Sequence, residues 1–163
     1  MTTQQRLKEL FLYDPLTGVF TRRVRTANSV YVGDVAGTTT GDGYTQIKVD
    51  GVDYLAHRLA VLYMTGDWPD EDVDHEDLDK SNNVWLNLRP ANQSLNNANK
   101  PLQSNNKTGF KGVSLHNGGP KYRADVKIEG KKKYLGCFDT ADEAHVVYML
   151  AANDLYGSYA RSA

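Results

Sequence analysis

VDHEDLDKSNNVWLNLRPANQSLNNAN, residues 73–99, is the stretch that decides how this 163-residue chain is read. Asp74 and His75 lead into a loop-forming run, EDLDKSNN, followed by Asn87-Leu88-Arg89 and then Ser94-Leu95-Asn96. The four candidates Asp74, His75, Asn87 and Asn96 therefore fall within 23 residues. A short helix is expected over 91–99, opened by Pro90 or Asn92, since asparagine caps freed amides and proline is tolerated in a first turn. Pro101 stops it. Neighbouring residues on a regular strand point to opposite faces. A strand carrying Asp74 and His75 must therefore end or bulge there if both are to serve one point.

These residue types suit metal-assisted cleavage of a phosphodiester, which needs a base for water, a cation on the phosphate and groups that hold both. His75 is suited to be the base, because a free imidazole is mostly neutral at pH 7. Asp74 and Asn96 offer hard oxygen ligands of the kind magnesium or manganese takes. A magnesium ion keeps several waters and needs few protein ligands. Asn87 could fix the ring of His75 by a hydrogen bond. Arg58 and Arg89 are candidates to touch phosphate, although each could equally be structural.

The same segment resembles the HNH nuclease motif in the variant that ends in asparagine. The resemblance implies two strands and a helix around one divalent metal, with His75 and Asn87 catalytic and Asp74 and Asn96 on the ion. The pattern Gly43, Tyr44, Val49, Gly51, Tyr54, His57, Arg58, Leu59 is also similar to what precedes the motif in phage-type endonucleases. For His57 a structural place at a helix start is favoured over a DNA contact.

Upstream, the chain reads as β. Residues 13–18 have turn chemistry ahead of a strand over 19–24. A second strand opens at Gly43-Tyr44 and runs to Val49, and Asp50-Gly51 is a two-residue hairpin signal before 52–55. A helix is expected from His57 to Thr65, stopped by Gly66, with Leu59, Leu62 and Tyr63 on its buried side.

Downstream, residues 101–107 read as a linker. Three strands follow, over 113–115, 122–128 and 131–138. Thr140 and Glu143 then form a capping box for a helix whose apolar stripe is Ala144, Val147, Tyr148, Ala151 and Leu155. By parity the sheet face away from that helix carries Ser114, His116, Arg123, Asp125, Lys127, Lys132 and Tyr134. Such a basic face could enter a DNA major groove, where a β-ribbon fits, or could be an ordinary solvated face. Residues 109–113, 121–127 and 134–148 resemble the plant APETALA/ethylene-response-factor DNA-binding domain, which implies that the sheet reads DNA. Ser114 and His116 stand where plant domains favour arginine, so base preference does not carry over.

Charge is distributed unevenly behind a net −1. Residues 1–100 hold ten Lys/Arg against fourteen Asp/Glu, and 101–163 hold nine against six. Residues 67–79 carry eight acidic side chains and no basic one. A cation-attracting loop and a separate basic patch suit a metal-dependent enzyme acting on a polyanion. One cysteine, Cys137, excludes an intramolecular disulfide and a cysteine-rich zinc site. No apolar run of membrane-span length or secretion signal is present.

The expectation is an α+β protein in two modules. A nuclease domain over 1–100 consists of β-hairpins followed by a ββα-metal module; residues 108–158 form a three-stranded antiparallel sheet on one helix. The expected activity is a magnesium- or manganese-dependent DNA endonuclease of homing or phage type acting on double-stranded DNA in the cytoplasm of a host cell. No membrane is expected as a partner. A monomer would nick and a homodimer would cut both strands, nicking being favoured. The alternatives are a DNA-binding protein with an inactive nuclease half and a structure-selective nuclease.

Overall fold

The computed structural model describes residues 1–128 and 130–162. Helices and several small antiparallel sheets make up a mixed α+β chain in two compact units, Met1–Ala91 and Asn92–Ala163. No helix among the described residues is long and apolar enough to cross a membrane.

The first unit opens with α1 (Gln4–Leu10), capped by the Thr3 hydroxyl on the Arg6 amide. It runs straight into β1 (Phe11–Asp14), which pairs with β2 (Val19–Arg22). Asp14 closes the intervening turn by accepting from the Leu16 amide at 2.9 Å and from the Thr17 hydroxyl at 2.9 Å. β3 (Thr38–Thr39), β4 (Thr45–Val49) and β5 (Val52–Leu55) form the next sheet. Asp50 and Gly51 both take left-handed φ, at 48° and 85°, as a tight hairpin with the twist of its strands requires. α2 (Ala56–Thr65) follows and ends on Gly66, φ 95°, whose amide donates to the Leu62 carbonyl. Leu59 and Leu62 are buried with Leu7, Phe11, Tyr13, Phe20, Ile47 and Val49 in one core, with Tyr63 packed against it.

β6 (Asp72–His75) then pairs antiparallel with β7 (Leu88–Ala91). Pro90 sits inside β7 opposite Val73 rather than at a helix start. A two-stranded ribbon tolerates it because its missing N–H costs no ladder on an outer edge.

In the second unit α3 (Gln93–Asn99) is opened by Asn92, whose side chain accepts from the Ser94 and Leu95 amides. β8 (Val113–Leu115), β9 (Tyr122–Ile128) and β10 (Lys131–Phe138) form an antiparallel sheet with β9 in the middle. α4 (Ala141–Tyr156) starts at the Thr140 cap. Its buried residues are Ala144, Tyr148 and Ala152, an i, i+4 series that packs one ring between two alanines against Val113, Ala124 and Val126. The expected stripe is thus rotated: Leu155 is 41% exposed. Gly112 admits the Tyr148 ring, since a Cβ there would lie 2.0 Å from it.

Candidate functional site

His75 is the last residue of β6, and the pleat sends it and Asp74 to opposite sides. The strand ends as expected, but the two side chains stay divergent. His75 is 4% exposed and meets His57 edge-on, ring centroids 5.0 Å apart, with Tyr44 at 6.1 Å. Asp74 lies across the ladder from Arg89. Its Oδ2 accepts from Arg89 Nε at 3.0 Å and pairs in charge with Nη2 at 3.0 Å, and Arg89 Nη1 is 3.8 Å from Glu76.

The loop between the strands is tied by its own carboxylates and amides. Asp77 accepts from the side chains of Asn87 at 2.9 Å and Asn82 at 2.7 Å and from the Asp79 amide at 2.9 Å. Asn87 Oδ1 accepts from the Asp77 amide at 3.1 Å, and its Nδ2 also donates to the Asn82 carbonyl at 2.8 Å. The expected bond from Asn87 to the ring of His75 is therefore not made; both ends of its amide are used to close the loop. Asn83 does reach His75: its Oδ1 lies 3.4 Å from Nε2. Asn83 and Asp77 were not singled out in the sequence, where the Asn82-Asn83 doublet at the loop's end was the available signal.

Electrostatics follow from this packing. Burial pushes His57 down to about 3, helped by His75 and Arg58, so it is neutral at physiological pH. Burial also lowers His75, opposed by its bond to Asn83 and by Asp77, Asp74 and Asp79. Burial works to raise the Asp77 carboxyl, but its hydrogen bonds from Asn82 and Asn87 win and hold it below the usual range. A neutral imidazole beside an ionised loop is a competent proton acceptor.

The two candidate arginines, Arg58 and Arg89, are both engaged. Arg58 donates to the carbonyls of Pro69 at 3.1 Å and Glu71 at 3.4 Å, pinning the acidic loop, and Arg89 holds Asp74. As placed, neither presents an open guanidinium to a phosphate.

A divalent ion is the group expected against Asp74 and Asn96. Asp74 supplies a hard oxygen of the right kind, and the contact with Arg89 runs through Oδ2. The Arg89 cation already neutralises charge that an ion would neutralise, so the two compete for one carboxylate. Asn96 lies on α3, in the second unit. Among the described residues no group of three or more His, Cys, Asp or Glu could hold a metal, so an ion here would rest on few protein ligands and its own water.

On the C-terminal sheet the parity reading holds for β9: Ala124 and Val126 are buried against α4, while Arg123, Asp125 and Lys127 alternate with them. Ser114 is opposite Arg123, Tyr134 opposite Asp125 and Lys132 opposite Lys127. These six residues share one face, with His116 at the end of β8 where its amide donates to Lys121. Arg123 is pinned on this face. It makes a two-pronged bond to Asp125, between 2.7 and 3.0 Å, and covers the Tyr134 ring at 4.9 Å. Asp125 is thereby a partner of Arg123, which leaves Lys127 and Lys132 as the exposed cations.

Comparison with known proteins bears on the first of these sites. Residues 54–98 match the family model described as HNH endonuclease. An uncharacterised HNH endonuclease of Acanthamoeba polyphaga mimivirus is 36% identical over 106 residues, 64% of this chain and 54% of that protein. The chain thus spans about half the length of this curated relative. A solved structure titled for DNA binding and cleavage by the HNH homing endonuclease I-HmuI is 27% identical, with a TM-score of 0.42, and covers 55% of this chain and 51% of that one. The matched span takes in His57, Asp74, His75, Asn87 and Asn96, the residues that combine a buried neutral imidazole with hard oxygen donors. Residues 54–98 are thus similar to an HNH endonuclease domain.

Proposed function

We propose that this chain is a divalent-metal-dependent DNA endonuclease in which the HNH domain cuts and the C-terminal sheet binds double-stranded DNA. The observation that carries the reading is His75 at the end of β6, neutral by burial and set beside a loop locked by Asp77 and Asn87. His75 takes a proton from the attacking water. Asp74 and Asn96 would hold magnesium or manganese, which supplies positive charge to the scissile phosphate and its leaving oxygen. Asn87 acts at one remove, by fixing the loop that His75 begins. Arg89, released from Asp74 when a metal takes that carboxylate, would be free to meet phosphate.

The face bearing Ser114, His116, Arg123, Asp125, Lys127, Lys132 and Tyr134 would lie on DNA in the manner of the APETALA/ethylene-response-factor domain. Lys127 and Lys132 would contact phosphate, and the Arg123–Asp125–Tyr134 group would form a rigid platform. With one such site per chain, a monomer nicks. Action in the cytoplasm of a host cell, for a phage or mobile element, is part of the same proposal.

The test is incubation of supercoiled plasmid and phage DNA with wild-type protein and with His75→Ala, with magnesium or manganese and with chelator. Open circles only with wild type and metal support a nickase centred on His75; linear product indicates a dimer. Retained binding without cleavage of any DNA would instead support a DNA-binding protein with an inactive nuclease half, a reading favoured by the grip of Arg89 on Asp74.

A further inference from the structure

We infer that Asn83 sets the tautomer of His75, leaving Nδ1 as the nitrogen that accepts a proton, and that the turn of the N-terminal hairpin holds Asn83 in place to do so. The role of His75 as base rests on the nuclease reading above; the tautomer does not.

The orientation of the Asn83 amide is fixed by its second partner. Its Nδ2 donates to the Ser81 carbonyl at 2.9 Å, so Oδ1 is the end turned to His75 Nε2, 3.4 Å away. Turning the amide over would set its oxygen against the Ser81 oxygen, two acceptors with no proton between them. An amide oxygen only accepts, so Nε2 must carry the hydrogen. A neutral imidazole has one N–H, which makes Nδ1 the lone-pair nitrogen. A proton taken from water then lands on Nδ1 while the Nε2–H stays on Asn83. The 3.4 Å separation is long for a hydrogen bond, as such contacts often are without substrate.

Asn83 is 3% exposed and is clamped by residues about 65–70 positions earlier in the chain. The Tyr13 hydroxyl donates to its carbonyl at 2.7 Å, and the Trp85 amide donates to the Pro15 carbonyl at 3.0 Å. Between these bonds Gly18, φ 72°, brings its backbone against Asn83 so closely that a Cβ would stand 2.3 Å from the Asn83 carbonyl carbon. The β1–β2 turn is thus a buttress for the residue that orients His75. Asn83 touches no reacting atom and is a positioning residue.

The experiment is a long-range proton–nitrogen correlation spectrum of 15N-labelled, metal-free wild-type protein at neutral pH, with His75 assigned by its loss in His75→Gln. A pyrrole-like Nε2 and a pyridine-like Nδ1 are expected; the reverse pattern, or a mixture, overturns the inference. Asn83→Ala should mix the tautomers and lower kcat for nicking roughly 10- to 100-fold with KM little changed. A wild-type spectrum in Asn83→Ala counts against the assignment. Should Asn83→Ala fail to fold, Tyr13→Phe loosens the clamp alone and is expected to show the same mixing in weaker form. If the wild-type protein cleaves no DNA, the nuclease reading fails while the tautomer spectrum still stands.

Discussion

Around His75 the side chains of Asp77, Asn83, Asn87 and Arg89 are each held by named partners, whereas on the outward face of the C-terminal sheet Lys127 and Lys132 reach solvent with no ion pair among the described residues. Under the proposed function the contrast reflects two kinds of work. A proton-transfer site gains from groups fixed in advance, because any reorganisation during the reaction adds to the barrier. A surface that displaces counterions from a polyanion needs cations that can move to phosphates, and fixing them contributes little. One region is therefore sensitive to geometry and the other to charge.

The largest effect expected from breaking the first region is chemical. His75→Ala should lower kcat about 10²- to 10⁴-fold, the usual share of a general base, while DNA retention in a gel-shift assay stays near wild type. Equal loss of binding would mean that His75 supports the fold rather than the reaction.

Two glycines separate the regions by packing. An alanine at Gly18 would strike the Asn83 backbone, and one at Gly112 the Tyr148 ring, each with strained positive φ as well. Each should cost about 2–4 kcal/mol. Gly18→Ala is expected to abolish nicking with the C-terminal sheet still binding DNA. Gly112→Ala is expected to weaken DNA retention, with residual nicking at high protein concentration. Thermal melts paired with the plasmid assay distinguish them, and identical phenotypes would refute a division of labour.

A smaller effect comes from acid. His57 is neutral when folded down to about pH 3, while the unfolded chain protonates it near 6.5. The unfolded state therefore binds the extra proton across that window, so the stabilisation is complete above pH 6.5 and is lost as pH falls toward 3. The slope approaches about 1.4 kcal/mol per pH unit, or roughly 2 kcal/mol by pH 5. Urea midpoints at pH 7 and 5 should fall further for wild type than for His57→Phe; parallel falls would show that His57 is not the titrating group.

Much of this was readable beforehand, and the misses share a cause. Local rules located the Asp50-Gly51 hairpin, the Gly66 stop, the Asn92 cap and the alternation of β9, because each depends on residues a few positions apart. The helix α1 escaped because MTTQQRLKEL offers only Leu7 and Leu10 as a buried stripe. Apolarity puts Leu155 on the buried side of α4, but it does not show that the sheet closes on Ala144, Tyr148 and Ala152 instead. Spacing points to Asn87 for the contact with His75 that Asn83 makes. Both are asparagines in or beside one loop, and the choice between them is made by Tyr13 and Gly18, far off in sequence.

The mildest perturbation tests the sheet itself. Lys127 and Lys132 face each other across β9 and β10, and both are exposed. If each neutralises one phosphate, replacing either with alanine should lower the slope of log K against log salt by about 1 and weaken binding alike on all sequences. Arg123→Ala is the informative contrast. Its guanidinium is already paired with Asp125 and laid on Tyr134, so its removal frees a carboxylate on the same face. Binding should weaken more than for either lysine, by repulsion between the released Asp125 and the phosphates. Arg123→Ala with Asp125→Asn should restore part of the loss. A slope unchanged in both lysine variants would move the DNA off this face and leave the Arg123–Asp125 pair as an ordinary brace within the sheet.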